Sequence, residues 1–200
     1  MTSQIIGLVR HGLTDWNALG KIQGQTDIPL NEVGRSQALM LADRLKQESY
    51  RFDAVISSGL MRAEETATII ARELDLPLLA PHLGLLERYY GQIEGTTAEE
   101  RETMWGLNWR KMELGQETDE VLRQRAHDSL EHIASAADGK NILIVSHGSW
   151  LAQLFIGLFG ESCTGHIGNL SFTVIERNHT EWHSLLMNCS AHVQPHSLQR

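Results

Sequence analysis

Three apolar runs end in polar, chemically reactive residues, and this repeated pattern constrains the fold more than any other feature. The runs and the residues that follow them are 5–9 with Arg10 and His11, 52–57 with Arg62, and 141–145 with His147 and Gly148. Short apolar runs bounded by turn residues are typical of buried strands. Because ligands bind beyond the carboxyl ends of strands in open α/β sheets, we expect these residues to meet in one crevice.

The segments between these runs have helical periodicity, which predicts the class of fold. Apolar residues recur at helical spacing after a predicted N-cap at Asn31 and in 63–71, 118–137 and 151–158. Further strands are predicted at 77–79, 172–175 and 182–187. Alternating strands and helices indicate an α/β fold with a mostly parallel central sheet. We therefore predict a three-layer sandwich, with helices on both faces of the sheet, in one domain that spans residues 1–200.

The stretch from about 83 to 116 interrupts the periodicity. It contains too many aromatic residues, among them Trp105 and Trp109, for a disordered segment. We predict that it is a lid inserted into the domain. The tryptophan pair suggests a more apolar pocket, and packing within the lid is at least as good an explanation.

Composition and charge narrow the class of protein. The chain has 200 residues, a net charge of −8 and no apolar run near the roughly 20 residues of a membrane span. We expect no membrane segment and no nucleic-acid partner, since binding of a phosphate backbone needs a basic surface. The N-terminus lacks the basic region of a signal peptide, and Cys163 and Cys189 give little case for a metal site or a disulfide framework. These features predict a cytoplasmic protein.

The residues at the predicted strand ends have the chemistry that phosphoryl transfer requires. Taken singly, each has an ordinary structural explanation, such as an exposed arginine or a His-Gly turn. Together they supply a nucleophile in His11, planar cations in Arg10 and Arg62, and a third positive group in His147 if its ring is protonated. A small phosphorylated metabolite is the partner that this set predicts.

A general acid and backbone donors complete the predicted site. Glu87 is suited to protonate a leaving oxygen and then to activate water. Helices that begin after Gly12 and Gly148 would add backbone N–H donors for the phosphate.

The ordered series of motifs resembles the histidine phosphatase superfamily, in its phosphoglycerate mutase-like branch. The resemblance covers nearly the whole chain and rests on the segments 8–12, 23–24, 27–31, 34–35, 57–67, 87–95, 115–118, 145–148 and 169–171. It implies that His11 becomes a phosphohistidine, that Glu87 is the acid and base, and that no metal is needed. The implied phosphate-binding residues are Arg10, Asn17, Arg62, His147 and Gly148, and the implied substrate-binding residues are Gln23, Gly24, Arg88 and Tyr90.

A hydrolase and a mutase share the first half of this reaction, and the motifs favour the hydrolase. The segment 87–91 resembles the mutase version, with Arg88 and Tyr90 on positions that contact phosphoglycerate. The chain is short, however, and its lid lacks the paired arginines of mutases. We therefore predict a phosphatase that acts on small phosphomonoesters without a cofactor. The alternative is a mutase that 2,3-bisphosphoglycerate primes.

One departure from the family keeps a third interpretation open. Relatives usually have glutamate where this chain has Leu13, a change that can alter the polarity or the pKa near His11. A non-catalytic module that binds phosphate is therefore a less favoured alternative. The oligomeric state is open as well, with a homodimer as one option.

Overall fold

One mixed sheet organises the computed structural model, which describes residues 3–161, 165–178 and 181–193. Its strands within these residues are β1 (Gln4–Arg10), β2 (Ala54–Ser57), β3 (Ile142–Ser146), β4 (Phe172–Asn178) and β5 (Glu181–Cys189). Their order across the sheet is β2-β3-β1-β4-β5. The neighbours β2, β3 and β1 are parallel, whereas β4 and β5 run antiparallel at one edge.

The register of the parallel strands brings their carboxyl ends together. Arg10 at the end of β1 lies opposite Ser146, the last residue of β3. Ser57, the last residue of β2, lies opposite Val145. Every residue of β2 and β3 is buried, as expected of strands covered on both faces. The expected meeting of the three strand ends is therefore confirmed.

Helices cover both faces of the sheet, which confirms the predicted three-layer α/β fold. In the described part of the chain they are α1 (Asp15–Ala18), α2 (Glu32–Gln47), α3 (Met61–Leu74), α4 (Ala98–Trp105), α5 (Asp119–Ala136) and α6 (Gly148–Phe159). Single 3₁₀ turns lie at Leu83–Leu85, Gly91–Ile93, Trp109–Lys111 and Ala191–Val193. The predicted N-cap is also confirmed, because the side chain of Asn31 accepts a hydrogen bond from the Gly34 N–H at 2.9 Å.

Two separate apolar clusters show how the layers pack. On one face, α5 and α6 pack against the sheet, with Leu130 and Trp150 fully buried beside Ile144. On the other face, α2 and α3 contribute Leu41 and Ile70. None of the helices among the described residues combines the length and the apolar composition that crossing a bilayer would require.

The predicted strand at 77–79 forms only one isolated bridge, between Leu78 and Val55 of β2. Pro77 has no N–H to donate, which limits further pairing along this edge. The expected short strand is therefore present only as this single bridge.

Residues 83–116 form short helical turns around α4 and have a small core of their own. Ile93, Trp109 and Leu114 are buried together there. The guanidinium carbons of Arg101 and Arg110 lie 4.8 Å and 4.5 Å from the Trp109 ring centroid. Trp109 thus packs within the segment and does not line the central cavity. That the segment acts as a lid stays a prediction, as does the single domain over 1–200.

Candidate active site

A cavity of about 320 Å³ opens where β1 and β3 end. It is lined by nine of the residues that the sequence predicted: Arg10, His11, Asn17, Gln23, Gly24, Arg62, Glu87, Tyr90 and Gly148. His147 is fully buried beside it, with its ring centroid 5.1 Å from that of His11. Residues that are 138 positions apart in sequence, from Arg10 to Gly148, therefore border one cavity.

The His11 ring is held in the tautomer that a nucleophile needs. Its Nδ1 lies 2.7 Å from the carbonyl oxygen of Gly12. A carbonyl only accepts hydrogen bonds, so Nδ1 carries the proton and Nε2 keeps its lone pair. Burial and the charges of Arg62 and Arg10 hold the pKa of His11 well below its usual range. The imidazole is therefore neutral and able to attack phosphorus at neutral pH.

His147 is neutral too in the free protein, so the condition for a third positive group, a protonated ring, is not met there. Burial, together with Arg62 and His11, holds the pKa of His147 well below its usual range. Its Nε2 lies 2.8 Å from the Ser58 hydroxyl, and its buried Nδ1 has no hydrogen-bond partner among the described residues. A bound phosphate dianion would favour the protonated ring, because an opposite charge stabilises the charged form.

Backbone carbonyls fix the side chains of Arg10 and Arg62, and each guanidinium has one N–H group that does not bind another group of the described chain. Arg62 donates to the carbonyls of Thr26 (2.9 Å) and Gly24 (2.6 Å), and Arg10 donates to that of Ile167 (2.6 Å). The Nε atoms of both arginines are buried without a hydrogen-bond partner in the described chain. Burial lowers the pKa of Arg62 to about 10, which leaves it positively charged at neutral pH.

Glu87 is anchored by the first turn of α6. Its Oε2 accepts from the Ser149 N–H, and its Oε1 accepts from the N–H groups of Trp150 and Arg88, at 2.8–3.1 Å. These three donors fix the carboxyl group at the cavity wall. Helix α6 thus positions the predicted acid, in addition to presenting Gly148 to the cavity.

Asn17 and Gln23 reach the cavity through polar contacts at its other side. Asn169 donates to the side-chain oxygen of Asn17 at 3.2 Å, which leaves the Asn17 amide nitrogen as a donor. The Thr14 hydroxyl caps α1 and donates to the side-chain oxygen of Gln23 at 3.0 Å. Both predicted residues are therefore held in place by neighbours.

Glu94 links two loops at the cavity. One loop carries the Gly24 and Thr26 carbonyls that bind Arg62, and the other carries Tyr90. The Glu94 carboxylate accepts from the N–H groups of Gln25, Thr26 and Tyr90 at 2.9–3.0 Å. A Cβ at Gly24, which has a φ of +55°, would collide with this carboxylate. Glycine at this position therefore lets the loop approach Glu94 and point its carbonyl at the Arg62 guanidinium.

Arg88 and Leu13 do not reach the cavity. The Arg88 guanidinium forms an ion pair with Asp119 and donates to the carbonyl of Glu117. The ion pair and the carbonyl draw the side chain towards α5, and the predicted contact of Arg88 with substrate stays a prediction. The backbone of Leu13 is bound by Gln37 and Asn31, and its side chain does not line the cavity.

Arg125 was missed in the sequence, although it holds the segment that carries Glu87. It donates to the carbonyls of Gly84 (2.9 Å), Leu86 (2.7 Å) and Glu87 (3.4 Å). The same guanidinium forms a two-point ion pair with Glu117. An arginine next to the apolar stripe of α5 was the only signal in the sequence. We infer that Arg125 is a positioning residue for Glu87.

Replacing Arg125 by methionine is expected to lower the rate of phosphohistidine formation in a single turnover about 10- to 100-fold, since small displacements of catalytic groups are costly. The loss should be larger for alkyl phosphates than for p-nitrophenyl phosphate, because the misplaced group is the acid. The matched control is Arg123→Met on the same helix, whose side chain contacts Gln153 instead. Equal losses for both esters, or an equal loss in the control, would show a general destabilisation.

The positive charges around His11 lead to a second prediction, which concerns the pKa of its imidazole. Removing the positive charge of Arg62 in Arg62→Met should raise the pKa of His11 towards 6.5, and a ¹⁵N NMR titration of the imidazole measures this shift. The protonated, non-nucleophilic ring would then form at a higher pH than in the unmodified protein. Arg72→Met, at the exposed end of α3, is the control. An unchanged titration of His11 in Arg62→Met would contradict the electrostatic explanation.

Comparisons with known proteins agree with this geometry. A model of the histidine phosphatase superfamily (branch 1) matches residues 6–190, and the chain belongs to this family. It is 36% identical over 186 residues to a metal-independent phosphoserine phosphatase of Arabidopsis thaliana, covering 88% of this chain and 78% of that protein. It is 35% identical over 189 residues to the uncharacterized phosphatase PhoE of Bacillus subtilis, covering 93% of this chain and 95% of that protein. It is also 35% identical over 190 residues to a probable phosphoglycerate mutase, GpmB, of Photorhabdus laumondii, covering 88% and 86%.

Solved structures give the same result. Bacillus stearothermophilus YhfR superposes with a TM-score of 0.86 at 28% identity, covering 96% of this chain and all (100%) of that one. A mutant phosphoserine phosphatase of Entamoeba histolytica, solved with phosphoserine, has a TM-score of 0.80 at 29% identity, with the same coverage. The same enzyme has been solved with 3-phosphoglyceric acid. These comparisons therefore show the family and the α/β fold. They also show that the chain is a member of a group of phosphatases and mutases.

Proposed function

We propose that the chain hydrolyses small phosphomonoesters through a phosphohistidine on Nε2 of His11. The observation that carries this proposal is a pair of buried donors, Arg10 Nε and Arg62 Nε, which together with the buried ring nitrogen His147 Nδ1 have no hydrogen-bond partner in the described chain. All three belong to residues beside the lone pair of His11. Such donors suit the equatorial oxygens of a phosphoryl group that His11 attacks.

The first half-reaction transfers the phosphoryl group to the enzyme. Nε2 of His11 attacks phosphorus, and the bond between phosphorus and the ester oxygen breaks. Glu87 gives its proton to that leaving oxygen, so the product departs as an alcohol. Arg10 and Arg62 stabilise the charge on the transferred group through its oxygens.

The second half-reaction releases phosphate. The Glu87 carboxylate takes a proton from a water molecule, whose oxygen attacks phosphorus. The bond between phosphorus and Nε2 breaks, and its electron pair returns to the imidazole. Glu87 is then protonated again, and the enzyme is ready for another ester.

A mutase is the second candidate, because Tyr90 lies at the cavity and a relative carries that name. In that case the phosphoryl group returns to a bound sugar acid, and 2,3-bisphosphoglycerate primes His11. The position of Arg88 against Asp119 supports the hydrolase instead. For the hydrolase we propose no cofactor. The charge and composition of the sequence also support a cytoplasmic location, and a homodimer is one option for the oligomeric state.

The deciding experiment supplies phosphorylated metabolites with and without 2,3-bisphosphoglycerate and follows free phosphate and isomerised ester together. We expect free phosphate in both conditions. Rapid quenching with ³²P-labelled substrate should trap label that is labile in acid and stable in base, as a phosphohistidine is. Isomerisation that depends on 2,3-bisphosphoglycerate would favour the mutase. If no ester gives either product or label, that result would support the non-catalytic module.

A further inference from the structure

Ser58 contacts the ring of His147 but has no part in the proposed phosphoryl transfer. It follows β2 directly, and both side chains are fully buried. The Ser58 hydroxyl oxygen lies 2.8 Å from Nε2 of His147, although the two residues are 89 positions apart in the sequence. The contact therefore joins the end of β2 to the residue that precedes α6.

A second contact of the Ser58 oxygen determines where its proton points. The oxygen accepts a hydrogen bond from the Leu60 N–H at 3.3 Å, within the turn that leads into α3. Among the described residues, Leu60 and His147 are its two hydrogen-bond partners. Because the oxygen already accepts from Leu60, its proton is available for Nε2 of His147, which then acts as the acceptor.

The tautomer of His147 follows from this contact. In a neutral imidazole one nitrogen carries the proton and the other accepts, so an acceptor at Nε2 places the proton on Nδ1. The opposite tautomer would leave two buried groups unsatisfied in the described chain, the Ser58 hydroxyl proton and the lone pair of Nδ1. The first tautomer leaves one, the Nδ1–H group, and is favoured because each unsatisfied buried group is costly.

The unpaired Nδ1–H group belongs to a ring beside the nucleophile. The ring centroids of His147 and His11 are 5.1 Å apart. Burial and then the neighbouring Arg62, His11 and Arg10 lower the pKa of His147, so these groups lie close to its ring. A phosphoryl oxygen held among them would accept from Nδ1–H, whereas a lone pair on Nδ1 would repel it.

We propose that Ser58 is a positioning residue that fixes His147 in the Nδ1–H tautomer, which donates a hydrogen bond to the transferred phosphoryl group. The neutral ring then supplies a donor without supplying a third positive charge. Ser58 acts through His147 and does not touch the substrate. This inference rests on the proposed phosphatase activity and adds a residue that prepares its phosphoryl site.

The tautomer can be measured by ¹⁵N NMR of the imidazole at neutral pH, with His147→Gln to assign the signals. In the unmodified protein we expect the proton on Nδ1. In Ser58→Ala the ring loses the donor at Nε2 and should populate both tautomers, whereas Ser58→Thr keeps a hydroxyl and should keep the proton on Nδ1. The matched control is Ser57→Ala, because Ser57 is equally buried and its hydroxyl donates to Glu64 instead.

Single-turnover kinetics measure the consequence for the reaction. The rate of phosphohistidine formation in Ser58→Ala should fall about tenfold to a hundredfold, since hydrogen bonds to charged groups are the strong ones. The loss should be equal for alkyl phosphates and for p-nitrophenyl phosphate, because His147 contacts the phosphoryl oxygens and not the leaving group. Ser58→Thr should restore most of the rate, and Ser57→Ala should match the unmodified protein.

The outcomes separate the role of Ser58 from the proposed function. A proton on Nε2 of His147 in the unmodified protein would overturn the proposal, even if Ser58→Ala fails to fold in urea-unfolding measurements. An unchanged tautomer in folded Ser58→Ala, or an equal rate loss in Ser57→Ala, would overturn it as well. If the unmodified protein releases no phosphate from any ester and traps no phosphohistidine, the phosphatase itself has failed, and the NMR result still decides the tautomer.

Discussion

Replacing His11 by alanine is expected to reduce turnover of every phosphomonoester by on the order of 10⁴-fold or more, because the reaction loses its nucleophile. No other group in the described cavity combines a free nitrogen lone pair with a neutral charge and a fixed orientation. His147 is neutral, but its Nε2 is engaged with Ser58. Steady-state assays with labelled substrate measure the loss, and rapid quenching should find no base-stable phosphate on the variant.

The folded structure should survive this change. His11 lies just after β1 and outside the two apolar clusters, so its removal leaves the packing of the sheet intact. Urea unfolding of His11→Ala should remain cooperative, with His127→Ala on the exposed side of α5 as the control for a histidine lost elsewhere. A folded variant that keeps more than trace activity, or still forms the labelled phosphohistidine, would remove His11 as the nucleophile.

The second large effect on the reaction rate is expected when Glu87 is replaced by glutamine. The rate of phosphohistidine formation in a single turnover should fall about 10²- to 10³-fold for alkyl phosphates. For p-nitrophenyl phosphate the same step should change little, since nitrophenolate departs without a proton. Single-turnover measurements are needed because Glu87 also acts on water in the second step, and slow hydrolysis would reduce kcat for both esters.

The contacts of Glu87 define the control for this variant. The amide nitrogen of glutamine would face a backbone N–H, and such a donor left unsatisfied costs about 1–3 kcal/mol of stability. Urea unfolding of Glu87→Gln therefore accompanies the kinetics, and Glu94→Gln is the comparison, because Glu94 also accepts backbone donors but does not line the cavity. Equal slowing of the first step for both esters would contradict the acid role.

The parallel strands and the residues that follow them could be predicted from the sequence, because short-range patterns determine both. An apolar run predicts a buried strand, and the shared edge of a parallel sheet then brings Arg10, Arg62 and His147 together. The charge of His147 could not be predicted in this way. It depends on burial and on Arg62, which is 85 positions away in the sequence.

Side chains in the irregular region were harder to predict for a related reason. Arg88 was expected at the substrate because of its position in a motif, but Asp119 from α5 draws it away. Arg125 follows no motif, and its role depends on the path of the backbone at 84–87. Such long-range contacts leave little trace in local periodicity.

Three of the buried polar atoms that have no hydrogen-bond partner in the described chain, Arg10 Nε, Arg62 Nε and His147 Nδ1, also affect the stability of the fold. Each is a desolvated polar atom that costs about 1–3 kcal/mol in the free protein, so the fold is less stable than the same scaffold with an apolar lining would be. An oxyanion that satisfies these donors binds only the native state and shifts the unfolding equilibrium towards it. Thermal stability and preorganisation for phosphoryl transfer are therefore opposed in this cavity. The rise in melting temperature on binding of orthovanadate measures how much stability an oxyanion restores.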